Sequence, residues 1–223
     1  MTSPRTTDPQ STQSTYSGAK SWTFSSPYVA LPRDNVDTDQ IIPARFLTTT
    51  RRDGLGPHAF HDWRYDADGA PRADFPVNEA DTLGARVLVA GDNFGCGSSR
   101  EHAVWALLGA GFRAVVATSF ADIFRGNALG NGLLPIQVDA DTLARLHTEH
   151  TAETPVTVDL ATRTLTLPSG DTVEFPVPPF ARHCLLNDLD EMTFLLGAAE
   201  DVDRHERARP SMIDTRAAWG SVA

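Results

Sequence analysis

Hydrophobic positions fall in short dense clusters separated by glycine and polar turns, and their spacing changes along the chain. Residues 85–90 (ARVLVA), 113–120 (RAVVATSF) and 133–138 (LLPIQV) are apolar runs with β-branched residues, the pattern of strands buried on both faces. Between the first two the period lengthens: residues 99–110 place Ala103, Ala106, Leu107 and Ala110 three and four apart and stop at Gly111, which predicts a helix. A shorter helix is predicted over 121–128, before the break at Gly130 and Gly132. Strand, helix, strand, helix, strand in this order predicts a parallel sheet with right-handed crossovers. Residues 141–150 predict another helix. Residues 156–160, 164–167 and 172–175 are β-forming segments between turns, which predicts an antiparallel group, and 178–199 predict a terminal helical segment.

The remaining stretches lack such a pattern. The first twenty residues are rich in Ser, Thr, Gln and Pro and cannot bury enough surface to offset the entropy of ordering, so residues 1–20 are predicted as a disordered tail. They carry neither the apolar core of a secretory signal nor the repeated arginines of a transit peptide. A globular pattern starts at Trp22, with a strand-like segment over 28–31, the polar loop NVDTDQ at 35–40, then Ile41, Ile42 and Pro43. Residues 48–80 carry many Asp, Gly, Arg and Pro with scattered aromatics and read as a long surface excursion with little regular structure. The division expected is a tail (1–20), a main domain (21–199) and a charged C-terminal extension (200–223), with no internal repeat.

Composition narrows the function. The 223 residues are 41% hydrophobic with a formal net charge of −10, so the overall field repels nucleic acid and anionic lipid, and no apolar stretch is long enough to cross a membrane. Two cysteines, Cys96 and Cys184, make no disulfide framework and are too few for an iron–sulfur cluster, so a reducing compartment is expected. Cys96 reads as a small packed thiol. His147 and His150, like His58 and His61, lie three apart without a recognisable third ligand, and are read as surface histidines. His102 and His183 are read as orienting a partner group or as packing.

One run concentrates chemistry. Residues 91–102, GDNFGCGSSREH, join a predicted strand to a predicted helix, a junction that aims free amides and the positive helix end at whatever lies in front of it. Ser98 and Glu101 fit a capping box, which alone explains that pair. Three glycines followed by Ser-Ser-Arg also suit a site for a small carboxylate: glycine permits close approach, arginine offers a planar fork, and helix amides offset charge on a serine oxygen. A dinucleotide fingerprint starts at Gly95-Cys96-Gly97 but fails at Arg100, and no phosphate loop is present. Asp37 and Asp39, followed by Arg45, Arg51 and Arg52, are solvated charges by default, and as a set supply the arginines a dicarboxylate needs.

Five segments, NVDTDQIIP at 35–43, GDNFGCGSSREHAVWAL at 91–107, SFADIFRGNA at 119–128, GLLPI at 132–136 and RHCLLNDLD at 182–190, closely resemble the small-subunit family of 3-isopropylmalate dehydratase. The resemblance runs in order from about Trp22 to Leu196. That family is similar to the swivelling domain of aconitase, so the resemblance implies a layered β/β/α fold, α/β in class, with a central parallel sheet and a smaller antiparallel one. It also implies a cytoplasmic heterodimer in which a separate large subunit holds a 4Fe–4S cluster and this chain binds no metal. Carried onto this chain, Ser98 resembles the general base, Ser99 and Arg100 the binders of a substrate carboxylate, and Asp39 an aspartate that orients a partner group. The implied reaction is isomerisation of 2-isopropylmalate to 3-isopropylmalate in leucine biosynthesis. The loop read as substrate-selecting departs from the family's usual Thr-Arg-Thr-Gly: it is Arg51-Arg52-Asp53-Gly54, in which Arg52 matches the family arginine. A related hydro-lyase of the homoaconitate or methylmalate type therefore stays open. So does a non-catalytic ligand- or nucleotide-binding module, which would be told apart by dinucleotide binding to the isolated chain.

Overall fold

The computed structural model describes residues 21–48, 51–79, 84–151 and 154–208. The predicted tail over 1–20 and the end of the C-terminal extension, 209–223, lie outside the described residues. Strands β1 (Thr23–Ala30), β2 (Val87–Val89), β3 (Ala114–Ala117) and β4 (Leu134–Gln137) run parallel. Strands β5 (Pro155–Asp159), β6 (Thr164–Thr166) and β7 (Thr172–Glu174) continue antiparallel from the other edge of β1. Among the described residues this makes one seven-stranded sheet in the order β4-β3-β2-β1-β5-β6-β7. The parallel and antiparallel sheets expected from sequence are both present, joined through β1. Its residues 23–27 pair with β5 and its residues 28–30 with β2.

The first half of β1 escapes the hydrophobic pattern because its inward position 26 is a serine. Ser26 is buried, and its hydroxyl accepts from the Arg86 amide (2.8 Å) and donates to the Pro27 carbonyl (2.6 Å), which satisfies it in the core.

Strands β1, β2 and β3 feed two cores, and β4 feeds the second. Val29, Leu88, Val115 and Ala117 face one, while Tyr28, Val87, Val89, Ala114, Val116, Leu134 and Ile136 face the other. Burial on both sides is why these strands read as continuous apolar runs. Helices α3 (Glu101–Gly109) and α4 (Asp122–Asn131) cover the first core. The second is closed by α5 (Ala140–Thr148), α6 (Pro179–Leu186) and the inward residues Val156, Val158 and Leu165 of the antiparallel strands.

The segment expected to be a surface excursion is part of the first core. Leu55, Ala59, Phe60, Phe75 and Val77 are buried there, in or flanking short 3-10 turns at Gly56–His58 and Pro76–Glu79 and the one-turn helix α2 (His61–Arg64). Single turns too short for helical periodicity hide this burial from the sequence. The predicted terminal helix is also broken. After α6, Asp188 takes a positive φ of 53° and Asp190 caps a new helix, α7 (Glu191–Gly197), which leads into α8 (Ala199–Ala208), exposed at every position. Among the described residues no helix is long and apolar enough to cross a membrane.

Candidate active site

Beyond their last paired residues, the chain after β1 and the chain after β2 remain side by side. Leu31 N donates to Val89 O (2.7 Å), Gly91 N to Arg33 O (3.0 Å), Asn35 N to Asp92 O (2.8 Å), Gly95 N to Val36 O (2.8 Å) and Thr38 N to Cys96 O (2.8 Å). The chain after β3 joins them, with Phe94 N donating to Ser119 O and Ala121 N to Phe94 O. Three loops thus meet at the carboxyl edge of the parallel strands, where open α/β sheets place their ligands. Asp92 ties two of them: it accepts from the hydroxyls of Thr118 (2.7 Å) and Ser119 (2.6 Å), and these bonds hold its carboxyl below the usual carboxylate range.

The capping box expected at Ser98 and Glu101 does not form. Helix α3 begins at Glu101 with Arg100 as N-cap and no side-chain cap bond, and Glu101 instead accepts from Asn131 Nδ2 (2.7 Å). A capping box forms in the facing loop, where Asp37 accepts from Asp39 N and Gln40 Oε1 accepts from Asp37 N at the start of the short helix α1 (Thr38–Ile41). The D-x-x-Q spacing was the sequence signal for it. Gly97 explains why the two loops come so close. Its φ is +90°, and a Cβ there would sit 2.2 Å from Asp37 Oδ2, so this glycine accommodates the neighbouring loop rather than a ligand.

Four of the five candidate residues are brought together. Thr38 Oγ1 donates to the Ser98 carbonyl (3.0 Å), which fixes the backbone of the serine and leaves its side chain exposed, with Ser99 exposed beside it. The Arg100 guanidinium donates to the Asp39 carboxylate, linking the loop after β2 to α1. Ala103 N, in the first turn of α3, donates to Arg100 O (3.2 Å), and an anion in front of Ser98–Arg100 meets both a guanidinium and the positive end of the helix dipole. Thr38 is a backbone support that the sequence does not reveal, and Asp37, a solvated charge by default in sequence, caps α1. Arg52 stands apart from this group: its guanidinium carbon lies 5.6 Å from the ring centroid of Trp105, farther along α3.

The remaining candidates have packing roles. Burial and the nearby Asp37 charge push the Cys96 thiol up, and burial does the same to Cys184 inside α6, so both are protonated thiols. Among the described residues no group of three or more His, Cys, Asp or Glu side chains is placed to hold a metal ion. His147 and His150 are not surface residues as expected. Both are half-buried and donate from Nε2 to backbone carbonyls, Ala90 O just past β2 at 3.3 Å and Tyr28 O in β1 at 3.0 Å. His58 is half-buried as well, stacked on Phe46 at 4.0 Å between centroids, and burial beside His61 and Arg45 pulls it below the usual imidazole value. His102 packs against Trp105 (4.7 Å) and His183 against Phe194 (5.7 Å). A cleft of about 710 Å³ opens between α3, α4 and the α6–α7 corner, with Arg52, Trp105, Asn131 and Asp190 among its lining residues.

These features define an α/β domain in which three loops bring Ser98, Ser99, Arg100 and Asp39 together at the carboxyl edge of its parallel strands. The Aconitase C-terminal domain family matches residues 24–141. The chain is 54% identical over 191 residues to the 3-isopropylmalate dehydratase small subunit of Roseiflexus sp. (strain RS-1), covering 85% of this chain and 94% of that protein. It is 58% identical over 181 residues to the same-named subunit of Anaeromyxobacter dehalogenans (strain 2CP-1), covering 81% and 94%. It also resembles the crystal structure of 3-isopropylmalate dehydratase from Methanocaldococcus jannaschii, with a TM-score of 0.61, 30% identity, and coverage of 82% of this chain and 99% of that one. The chain belongs to the 3-isopropylmalate dehydratase small-subunit family.

Proposed function

We propose that this chain is the small subunit of a two-subunit hydro-lyase that isomerises 2-isopropylmalate to 3-isopropylmalate in leucine biosynthesis, in the cytoplasm. The observation that carries the reading is the Arg100–Asp39 pair at the uncapped start of α3, two residues after an exposed Ser98. A substrate carboxylate takes the place of Asp39 against the Arg100 fork, with the Ser99 hydroxyl donating to it and Arg52 meeting the second carboxylate. Ser98 Oγ, as alkoxide, takes the proton from the carbon next to the one bearing the hydroxyl. That C–H electron pair becomes the new double bond as the hydroxyl leaves the neighbouring carbon. Return of the proton and of water to the exchanged carbons completes the isomerisation. The positive end of the α3 dipole offsets the negative charge held at Ser98.

This reading places a 4Fe–4S cluster on the large subunit, where its open iron would serve as Lewis acid toward the substrate hydroxyl. The test is reconstitution: the full chain is mixed with a cluster-loaded large subunit, and the absorbance of the unsaturated intermediate is followed with 2-isopropylmalate, homoaconitate and a methylmalate. Turnover fastest with 2-isopropylmalate, and none from the chain alone, is the expected result. No turnover on any malate analogue contradicts the proposal, and preference for another analogue reassigns the substrate.

A further inference from the structure

We infer that Trp105 is the seat that positions Arg52, and therefore a positioning residue for the arginine of the 51–54 loop. The Arg52 guanidinium carbon is 5.6 Å from the indole centroid, inside the range over which a cation is attracted to a ring face. The ring itself is fixed. Its Nε1 donates to Asn131 Oδ1 (2.9 Å), and Asn131 Nδ2 donates to Glu101 Oε1 (2.7 Å) and to Asn127 O (2.9 Å). Glu101 adjoins Arg100, so one chain of contacts runs from Arg52 through the indole and Asn131 to the residue beside the carboxylate-binding arginine. The His102 ring packs against the same indole at 4.7 Å.

Asp190 lies within the electrostatic reach of Arg52, and it is fixed by accepting from Thr193 N (2.6 Å) at the start of α7. Arg52 thus has an aromatic floor on α3, held by a hydrogen bond to Asn131 of α4, and an acidic wall at Asp190, held by its cap bond to the start of α7. Residues 51–54 are all exposed, so burial does not fix the direction of the Arg52 side chain. The indole and Asp190 do so instead.

The consequence for substrate rests on the proposed function, but the seat is testable without it. Trypsin must grip the Arg52 guanidinium, so it cleaves there only when the side chain has left the ring. In the full chain alone, cleavage after Arg52 is compared by mass spectrometry with cleavage after Arg163 in the β5–β6 turn. Trp105→Leu is expected to speed the Arg52 cut relative to Arg163 by about two- to fivefold, the value of an exposed cation–π contact, while Trp105→Phe, which keeps a ring, stays within about twofold of wild type. In the reconstituted enzyme Trp105→Leu raises KM by a similar factor with little change in kcat, and adds nothing on an Arg52→Ala background. An unchanged relative cutting rate overturns the seat, and independent additive effects of the two substitutions overturn its role in substrate binding. If the wild-type complex turns over no malate, the functional reading fails while the trypsin comparison still decides the seat.

Discussion

Arg100 ties the loop after β2 to α1 through Asp39, and in the proposed function the same guanidinium receives the carboxylate of a substrate. The two roles separate energetically. An ion pair with Asp39 half-exposed contributes little to folding, on the order of 1 kcal/mol or less, whereas loss of a planar fork from a carboxylate site is felt directly in binding. Arg100→Lys should therefore leave the thermal midpoint nearly unchanged and raise KM at least about tenfold, since a lost charged hydrogen bond is worth roughly 1.5–3 kcal/mol. Steady-state kinetics beside a melting curve checks both. Tyr28 offers a pH test of the second core. It is fully buried, its hydroxyl donates to Leu146 O (2.6 Å), and desolvation with the Glu149 charge pushes its pKa up to about 12. A raised folded-state value means the contribution is fully present below the unfolded value near 10 and is lost as pH climbs from there toward 12. Denaturant midpoints across that window should fall in wild type and stay flatter in Tyr28→Phe.

Among the elements, α3 depends on close backbone contact at both ends. At its carboxyl end Gly109 packs directly on Gly56, where a Cβ would meet the Gly109 carbonyl oxygen at 2.2 Å. Gly56→Ala should cost about 1–3 kcal/mol through overpacking and lower the melting temperature by several degrees, read by calorimetry. The sequence made the parallel half of the sheet legible, since double burial leaves apolar runs, and it made the antiparallel half legible through alternation and turns. It hid the first half of β1, where Ser26 occupies an inward position, and the buried turns of 55–77, which are shorter than any period. At the site, Ser98, Ser99 and Arg100 stood out because they cluster in one motif. The capping box was read on the wrong loop, because Ser98-x-x-Glu101 and Asp37-x-x-Gln40 share a spacing and only the fold decides which closes. The Trp105 seat was not legible, since a tryptophan at helical spacing reads as packing.

On the scale of the whole molecule, β1 serves both sheets, so the loop that follows it is anchored by the parallel and antiparallel halves together. That anchoring delivers Asp37, Thr38 and Asp39 to the start of α3, and it leaves Ser98 exposed on the edge where three loops meet. A net charge of −10 does not oppose a carboxylate there, because distant charges are screened while Arg100 and the positive end of α3 act locally. In the proposed function the exposed Ser98 is half of a site that the large subunit completes. The most direct test compares wild type with Ser98→Ala, each reconstituted with the cluster-loaded large subunit and each shown to co-elute with it. The expected result is that the Ser98→Ala complex assembles and holds KM within about threefold, while kcat falls by about 10²–10⁴, the worth of a positioned general base. A Ser98→Ala complex that keeps a tenth or more of wild-type turnover would contradict the assignment of Ser98.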